Sequence, residues 1–530
     1  MLGVYSLLTL LLASTAVAHR HRGRHVHIRP PSSTGAAAAA HPTTYSNYLF
    51  RFTGTDPVNV DEILDSLQPY GFNMSHLHHT FSETMNGFSA LMSDHCVGVL
   101  KDMVTPDGVQ IEPVVTMKLR VPVASTIPKP QRPFVDHRKR GAHIRHNHVH
   151  THYKPAIRPR GPGFSIATRI GEDPVESSPA SSAIPSPSTV PAADDDVPAE
   201  YDILQTDATW GLQRISQRNP ILGVADTDVN GQNFKYKFDE SAGEGVDIYV
   251  IDTGINTAHK DFGGRAKVEF VAQSLVNSEG PGDFAGHGTH CAGTTGSMHY
   301  GVAKRANIYG IKIMGRSGGG LSSDIAAGIE HMVKRHRQRR LDPTFRGSVA
   351  SMSFGLDVAT ADLGNSSVIS KSPVLDSVIM AAAAEGIHTV IAGGNQGIDA
   401  CRVSPGYLSR AVGLRGNYSA SVITVGAADV FDNRADFSNY GECITTYAPG
   451  VAVLSTYING DNSTQVLQGT SMAAPHVAGL VAYLLGLRPE LKEDVQGMKR
   501  LLTSTAGRGL IGNVVDAEDK RLVAYNGVDG

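Results

Sequence analysis

The chain has 530 residues, 41% of them hydrophobic and 18% charged, with a formal net charge of -3; this is globular composition in more than one unit, not a disordered or fibrous chain. A sequence isoelectric point of about 6.8 gives no global electrostatic case for a nucleic-acid or membrane-surface partner, and neither is expected. Four cysteines in so long a chain exclude a disulfide scaffold, so the apolar core must carry most of the stability.

Residues 1–18, MLGVYSLLTLLLASTAVA, have a short apolar core closing on Ala16-Val17-Ala18, as a signal peptide does. The chain is therefore expected to enter the secretory pathway and to be exported or kept in a vacuole-like compartment. Asn73, Asn365, Asn417 and Asn462 each begin an Asn-x-Ser/Thr triplet that this route would make available for glycosylation. The later apolar run GLVAYLLGL at 479–487 is too short to span a bilayer and reads as a buried helix.

Residues 19–44 are a low-complexity His/Arg/Ala segment. From 45 to 120 the text alternates between strand and helix. NYLFRF, FSALMS and VQIEPVVTMKL read as strands, and NVDEILDSLQPYG and DHCVGVLKDM as helices, which predicts a small α+β ferredoxin-like unit. Residues 121–203 are basic first, then acidic and rich in Pro and Ser, as a disordered linker is. Its histidines are irregularly spaced and lack accompanying Cys or carboxylates, so solvated low complexity is preferred to a metal site.

From 204 to 530 apolar runs recur between helical stretches: VDIYVI, NIYGIKIM, VASMSF, HTVIAG and SVITVGA. They predict an α/β domain, a doubly wound and mostly parallel sheet with helices on both faces. Cys401 and Cys443 flank a stretch rich in turn residues. Their pairing is expected, closing a loop worth about 4 kcal/mol in the chain-entropy treatment.

Several polar residues stand where such a sheet places a site. Asp252 ends the strand VDIYVI and precedes a Thr-Gly turn. His287 lies between two glycines at the start of a helix, in GDFAGHGTHCAGT, and His290 and Cys291 behind it read as packing residues. Asn395 follows the strand HTVIAG. Ser471 opens the small-residue helix in QGTSMAAPHVAG, where an isolated Ser would be only a cap. Asp, His and Ser in that order, with an Asn donor between the last two, point instead to nucleophilic catalysis.

The segments YVIDTGI, GHGTHCAGT, ASMSFG, IAGGN and GTSMAAPHVAGL resemble the subtilase family, and the likeness runs through nearly all of 204–530 with features of the proteinase K and cerevisin branch. Asp, His, Ser is the chain order of subtilisin. The resemblance implies a serine endopeptidase in which Ser471 is nucleophile, His287 general base, Asp252 its orienting carboxylate and Asn395 the oxyanion donor. It also implies a cleft in which RSGGGL (Gly318, Gly319 and Gly320) and SFGL (Ser353, Phe354 and Gly355) pair with a peptide backbone. Gly393 and Gly394 are expected to leave room for a large apolar substrate side chain.

By the same likeness, residues 45–120 are an inhibitor-like propeptide, and the expected partners are protein and peptide substrates and this propeptide, in a monomer. No cofactor and no catalytic metal are expected. A structural calcium is in question, because Thr445 stands where relatives place a calcium-binding Asp. Insertions at 357–371 and 406–420 border the expected cleft, and the first processing cut is left open between Leu119 and Gln205. The rival readings are a silent binding protein, a metal-dependent hydrolase and a dibasic-specific convertase.

Overall fold

The computed structural model describes residues 44–54, 58–104, 108–119, 203–225, 228–356, 372–410 and 421–528. The expected signal peptide, nearly all of the low-complexity segment and linker, and the acceptors Asn365 and Asn417 lie outside the described residues.

The N-terminal layer runs β1 (Tyr45–Phe52), α1 (Val60–Leu67), β2 (Leu77–Phe81), β3 (Gly87–Ser93), α2 (Asp94–Met103) and β4 (Val109–Pro113). Its four strands pair antiparallel in the order β2-β3-β1-β4, the ferredoxin-like arrangement. Both helices start where a short polar side chain accepts a backbone N–H: Asn59 from Glu62 and Ser93 from Cys96. Phe50, Phe88, Leu64 and Leu100 form this layer's own core, whereas Leu49 and Phe81 face the other way, into the core of the following domain. The sheet is thus covered on both faces, which explains why β3 is buried almost throughout.

Two departures from the sequence reading stand here. Strand β2, LHHTF in sequence, has no apolar alternation and is not among the expected strands; its backbone is recruited by β3. The run 109–119 was expected as one strand and is two. After Pro113 the chain leaves the N-terminal sheet, and β5 (Thr116–Lys118) pairs elsewhere.

The larger domain opens with β6 (Ile203–Ala208), α3 (Trp210–Ile215) and β7 (Phe234–Phe238), followed by β8 (Val246–Asp252), β9 (Ala266–Val271), α4 (Gln273–Val276) and α5 (His287–Gly296). Next come β10 (Asn307–Lys312), β11 (Gly319–Leu321), α6 (Ser322–Arg339), β12 (Gly347–Met352), β13 (Gly355–Leu356), α7 (Pro373–Ala384) and β14 (His388–Ala392). The chain finishes with β15 (Ile423–Ala428), β16 (Thr446–Pro449), β17 (Val453–Thr456), β18 (Thr464–Leu467), α8 (Thr470–Leu487) and α9 (Val495–Thr505).

Seven strands form a parallel sheet in the order β16-β15-β14-β12-β8-β10-β9. The five apolar runs picked out in the sequence are five of these strands. In β8, Ile248 and Val250 enter the core shared with α5 and α8, while Tyr249 and Ile251 enter the core shared with α6 and α7. Period-2 alternation therefore serves two apolar faces, as a doubly wound sheet requires. The strand order departs in opposite directions on either side of β8, so Asp252 ends the strand at the topological switch. Helix α8, apolar along its length, packs on β12, β14 and β15 and is buried in the core, as expected of GLVAYLLGL.

The expected disulfide joins Cys401 and Cys443, with Cα atoms 5.3 Å apart, and sits in a small core with Tyr447 and Val523. Cys96 and Cys291 are free and buried.

Candidate active site

Strand β8 delivers Asp252 to the carboxyl edge of the sheet, 1% exposed, where the next backbone N–H, of Thr253, donates to its Oδ1 at 2.7 Å. The chain turns away through Gly254 at φ +108°. Helix α5 then starts against this turn. A side chain at Gly288 would put its Cβ 2.2 Å from the Gly254 carbonyl oxygen, and Gly286 holds φ +84° with the Tyr457 ring 2.4 Å from where a Cβ would lie. The two glycines flanking His287 thus permit the approach that brings its ring to Asp252. The His287 Nδ1 lies 2.8 Å from Asp252 Oδ1 and 3.0 Å from Oδ2.

A buried carboxylate absent from the sequence reading holds both partners. Asp283 accepts the Thr253 hydroxyl at 2.9 Å, the backbone N–H groups of Ala285, Gly286 and Thr289 at 3.0, 2.9 and 2.9 Å, and the Thr289 hydroxyl at 2.6 Å. Thr253 in turn accepts the Gly288 N–H at 2.9 Å. A charged acceptor at the amino end of α5 also complements the helix dipole. Nothing local in GDFAGHGTHCAGT marks Asp283, four residues before His287, as the acceptor of these donors.

Ser471 lies in the first turn of α8, after Gly469 at φ +144°. Pro475, four residues on, has no N–H to offer the Ser471 carbonyl. That carbonyl accepts instead from the Ser353 hydroxyl at 3.0 Å and the Cys291 thiol at 3.3 Å. Cys291 is therefore more than the packing residue expected: its sulfur also lies 3.8 Å from His287 Nδ1. His290 does behave as expected, with Nε2 against the carbonyls of Val453 and Gln465 at 3.0 Å and burial pulling its pKa down to about 3.

The alcohol and the imidazole are not hydrogen-bonded. Ser471 Oγ donates to the Ser353 carbonyl at 3.2 Å, and His287 Nε2 is buried without a hydrogen-bond partner among the described residues. The Ser353 carbonyl satisfies the hydroxyl in this arrangement. Burial disfavours a charged imidazole at His287, yet the adjoining Asp252 carboxylate, together with the Cys291 sulfur beside the ring, outweighs it and holds the pKa well above the ordinary histidine value. Burial also pushes the Cys291 thiol up, against the opposing pull of His287.

Asn395, three residues beyond β14, is oriented by Thr470, whose N–H and hydroxyl reach its Oδ1 at 2.9 and 2.8 Å. Because a backbone N–H can only donate, the amide oxygen faces Thr470, and Nδ2 is the end presented as donor. Asn395, Ser471, Ser353 and Phe354 line one pocket with Val403 and Gly406. Gly393 and Gly394 line it too, and packing also requires their smallness. A Cβ on Gly393 would meet Ile444 at 2.8 Å and the Val425 oxygen at 2.9 Å, and Gly394 sits at φ +100° against Asn439.

The two expected cleft edges are occupied by the chain itself. β5 lies between β11 and β13 and pairs antiparallel with both, Lys118 opposite Gly319 and Gly355, and Met117 opposite Gly320 and Leu356. Leu119 N–H then donates to the Gly318 carbonyl at 2.9 Å, and Lys118 lines the pocket that holds Ser471. Thr445 is buried, with its hydroxyl accepting from Thr424 N–H at 3.2 Å. It offers no carboxylate and does not fit the calcium ligand of the family pattern.

The Subtilase family profile matches residues 243–529. Cerevisin of Saccharomyces cerevisiae is 40% identical over 341 residues, 62% of this chain and 48% of its own length. A subtilisin-like serine protease of Rhodotorula mucilaginosa is 43% identical over 329 residues, 60% of this chain and 86% of its own. A cold-adapted subtilisin-like serine proteinase of known structure is 32% identical, with a TM-score of 0.47, over 60% of this chain and 98% of its own. The matched region spans about half the length of cerevisin and 62% of Subtilisin-like protease 3 of the same yeast. Because the family match covers more than half of the 530 residues and contains every polar segment that the fold gathers around Asp252 and His287, the chain belongs to the subtilase family.

Proposed function

We propose that the protein is a serine endopeptidase that hydrolyses peptide bonds in proteins and peptides and is made as a self-inhibited precursor. The observation that carries this reading is the buried pair of Asp252 and His287, at 2.8 Å, the latter on a helix whose Cys291 thiol reaches the Ser471 carbonyl at 3.3 Å. Ser471 attacks the scissile carbonyl while His287 Nε2 takes its proton and later returns it to the leaving amine. Asp252 keeps the proton on Nδ1 and stabilises the imidazolium. The developing oxyanion is met by Asn395 Nδ2 and by the N–H groups at the start of α8. No cofactor takes part.

Residues 45–120 act as the inhibitor. Support comes from the seating of β5, which fills the strand position that a substrate backbone would take. Three further contacts hold the layer down. Glu330 accepts the backbone N–H groups of Ser82 and Thr84 at 2.6 and 2.8 Å, Glu112 accepts the Ser372 hydroxyl and the Val374 N–H at the start of α7, and His79 meets Asp324 at 3.0 Å.

The pocket wall of Ala392, Val403 and Gly406 favours an apolar side chain, and backbone pairing along the cleft favours broad specificity. The mature enzyme works as a monomer, exported or vacuolar, with exposed Asn462 as a glycan site, and Asn73, also exposed, is one on the inhibitor layer. A serine-directed phosphonate tests the reading: it should label Ser471 in the activated protein and abolish peptide hydrolysis, and Ser471→Ala should be inactive and unlabelled. Full hydrolysis by Ser471→Ala, or loss of activity to a chelator alone, would reject it.

A further inference from the structure

A second polar site lies at the opposite edge of the sheet. Asp252 ends β8 and Asn395 follows β14, both at carboxyl ends of parallel strands, whereas Val422 directly precedes the amino end of β15. Beside Val422 is an open pocket of about 400 Å³ whose charged lining is Arg410, Lys499, Arg500 and Lys520, with no carboxylate. A neighbouring depression shares Thr503 and Lys520 and adds Arg508.

Exposed cations on one helix face are ordinary solvated surface. These differ because they converge from separate segments: the turn at 409–410, helix α9 and the chain at 508 and 520. Lys499 is fixed in place, its ammonium donating to the carbonyls of Ser409 and Val422 at 3.0 and 2.7 Å. Arg410 meets Glu442 at 3.0 Å, and Arg500 reaches Asp494 only at 3.6 Å. Among the described residues, Lys520 and Arg508 have no carboxylate within 4.0 Å. Burial, followed by the charges of Lys520 and Arg410, pulls the Lys499 pKa down to about 7. Gathered like charges oppose one another, and a bound anion relieves that opposition.

We propose that this pocket binds a small multivalent oxyanion carrying phosphate or sulfate groups. Arginine forks and lysine ammonium groups around an open space suit tetrahedral oxyanions, which accept several charge-assisted hydrogen bonds at once.

The test is calorimetric titration of full-length protein carrying Ser471→Ala, which prevents self-digestion, with sodium pyrophosphate as the probe. Saturable binding with a dissociation constant of about 1 mM or tighter, weakening as sodium chloride is raised, is expected. The double substitution Arg500→Gln and Lys520→Gln should weaken binding by about tenfold or more, and in the catalytically intact chain it should leave peptide hydrolysis unchanged. No saturable binding at low salt, or binding that the double substitution does not alter, would overturn the proposal. So would sedimentation with vesicles containing phosphatidylinositol phosphate in the absence of pyrophosphate binding, since that would make the ligand a membrane surface.

Discussion

The carboxylate of Asp283 accepts the hydroxyl of Thr253 at 2.9 Å and so ties the turn behind Asp252 to the start of the helix that begins at His287. Its other oxygen is taken by Thr289, N–H and hydroxyl, inside that helix. One side chain therefore sets the spacing between the two strand and helix ends from which the acid and the imidazole project. Asp283→Asn keeps the volume but places an amide NH2 among donors. Catalysis depends steeply on such spacing, so kcat should fall about ten- to a hundredfold with KM little changed. Steady-state kinetics on a peptide substrate read this; an unaltered kcat in a folded variant would show that the helix start is held without Asp283.

Thr470 orients the Asn395 amide through the amide oxygen. Asn395→Ala removes a donor whose loss costs about a hundred- to a thousandfold in kcat, the magnitude known for subtilisin itself. Thr470→Val, which keeps the N–H contact and loses the hydroxyl, should reduce kcat less. Equal losses would mean that the hydroxyl does more than orient the amide.

Because Asp252 raises the affinity of His287 for a proton, the acid limb of activity should lie above the ordinary histidine value of about 6.5. The sign follows from the mechanism: only neutral imidazole can accept the Ser471 proton, so activity is lost as pH falls through the raised pKa. The pH profile of kcat/KM measures it. An optimum near pH 4 would contradict the role given to His287.

Glu330 receives backbone donors from the loop at 82–84 on both of its oxygens. Glu330→Gln turns an NH2 toward one set of these donors and removes the charge, a loss of about 2 to 3 kcal/mol by the usual worth of charged hydrogen bonds. In a Ser471→Ala background, the urea midpoint for release of the N-terminal layer should fall. An unchanged midpoint would mean that the loop is held by apolar contacts alone.

The register of β5 narrows the question of processing. Leu119 N–H still pairs with Gly318, and Lys118 borders the pocket of Ser471, so the bond to be cut should follow Leu119 within a few residues. Intact-mass measurement of the first released fragment checks this. A first cut near Gln205 would mean that β5 is not seated as a substrate is.

Much of this protein was legible as text. Apolar runs such as VDIYVI and SVITVGA need no partner information to read as buried parallel strands, and local chemistry shows in the glycines flanking His287 and in the small residues after Ser471. What tertiary structure alone decided are matters of contact between distant segments. Histidine-rich β2 is a strand only because β3 supplies its hydrogen bonds. The run 109–119 divides because its first part pairs with β1 and its second with β11 and β13. Asp283, Cys291 and Thr470 gained their places in the site from donors and acceptors that lie far off in sequence or across a helix turn. Pattern along a chain reports periodic burial, which is local. Hydrogen-bond partners and charge convergence depend on which backbone segments meet, and only the packed fold determines that.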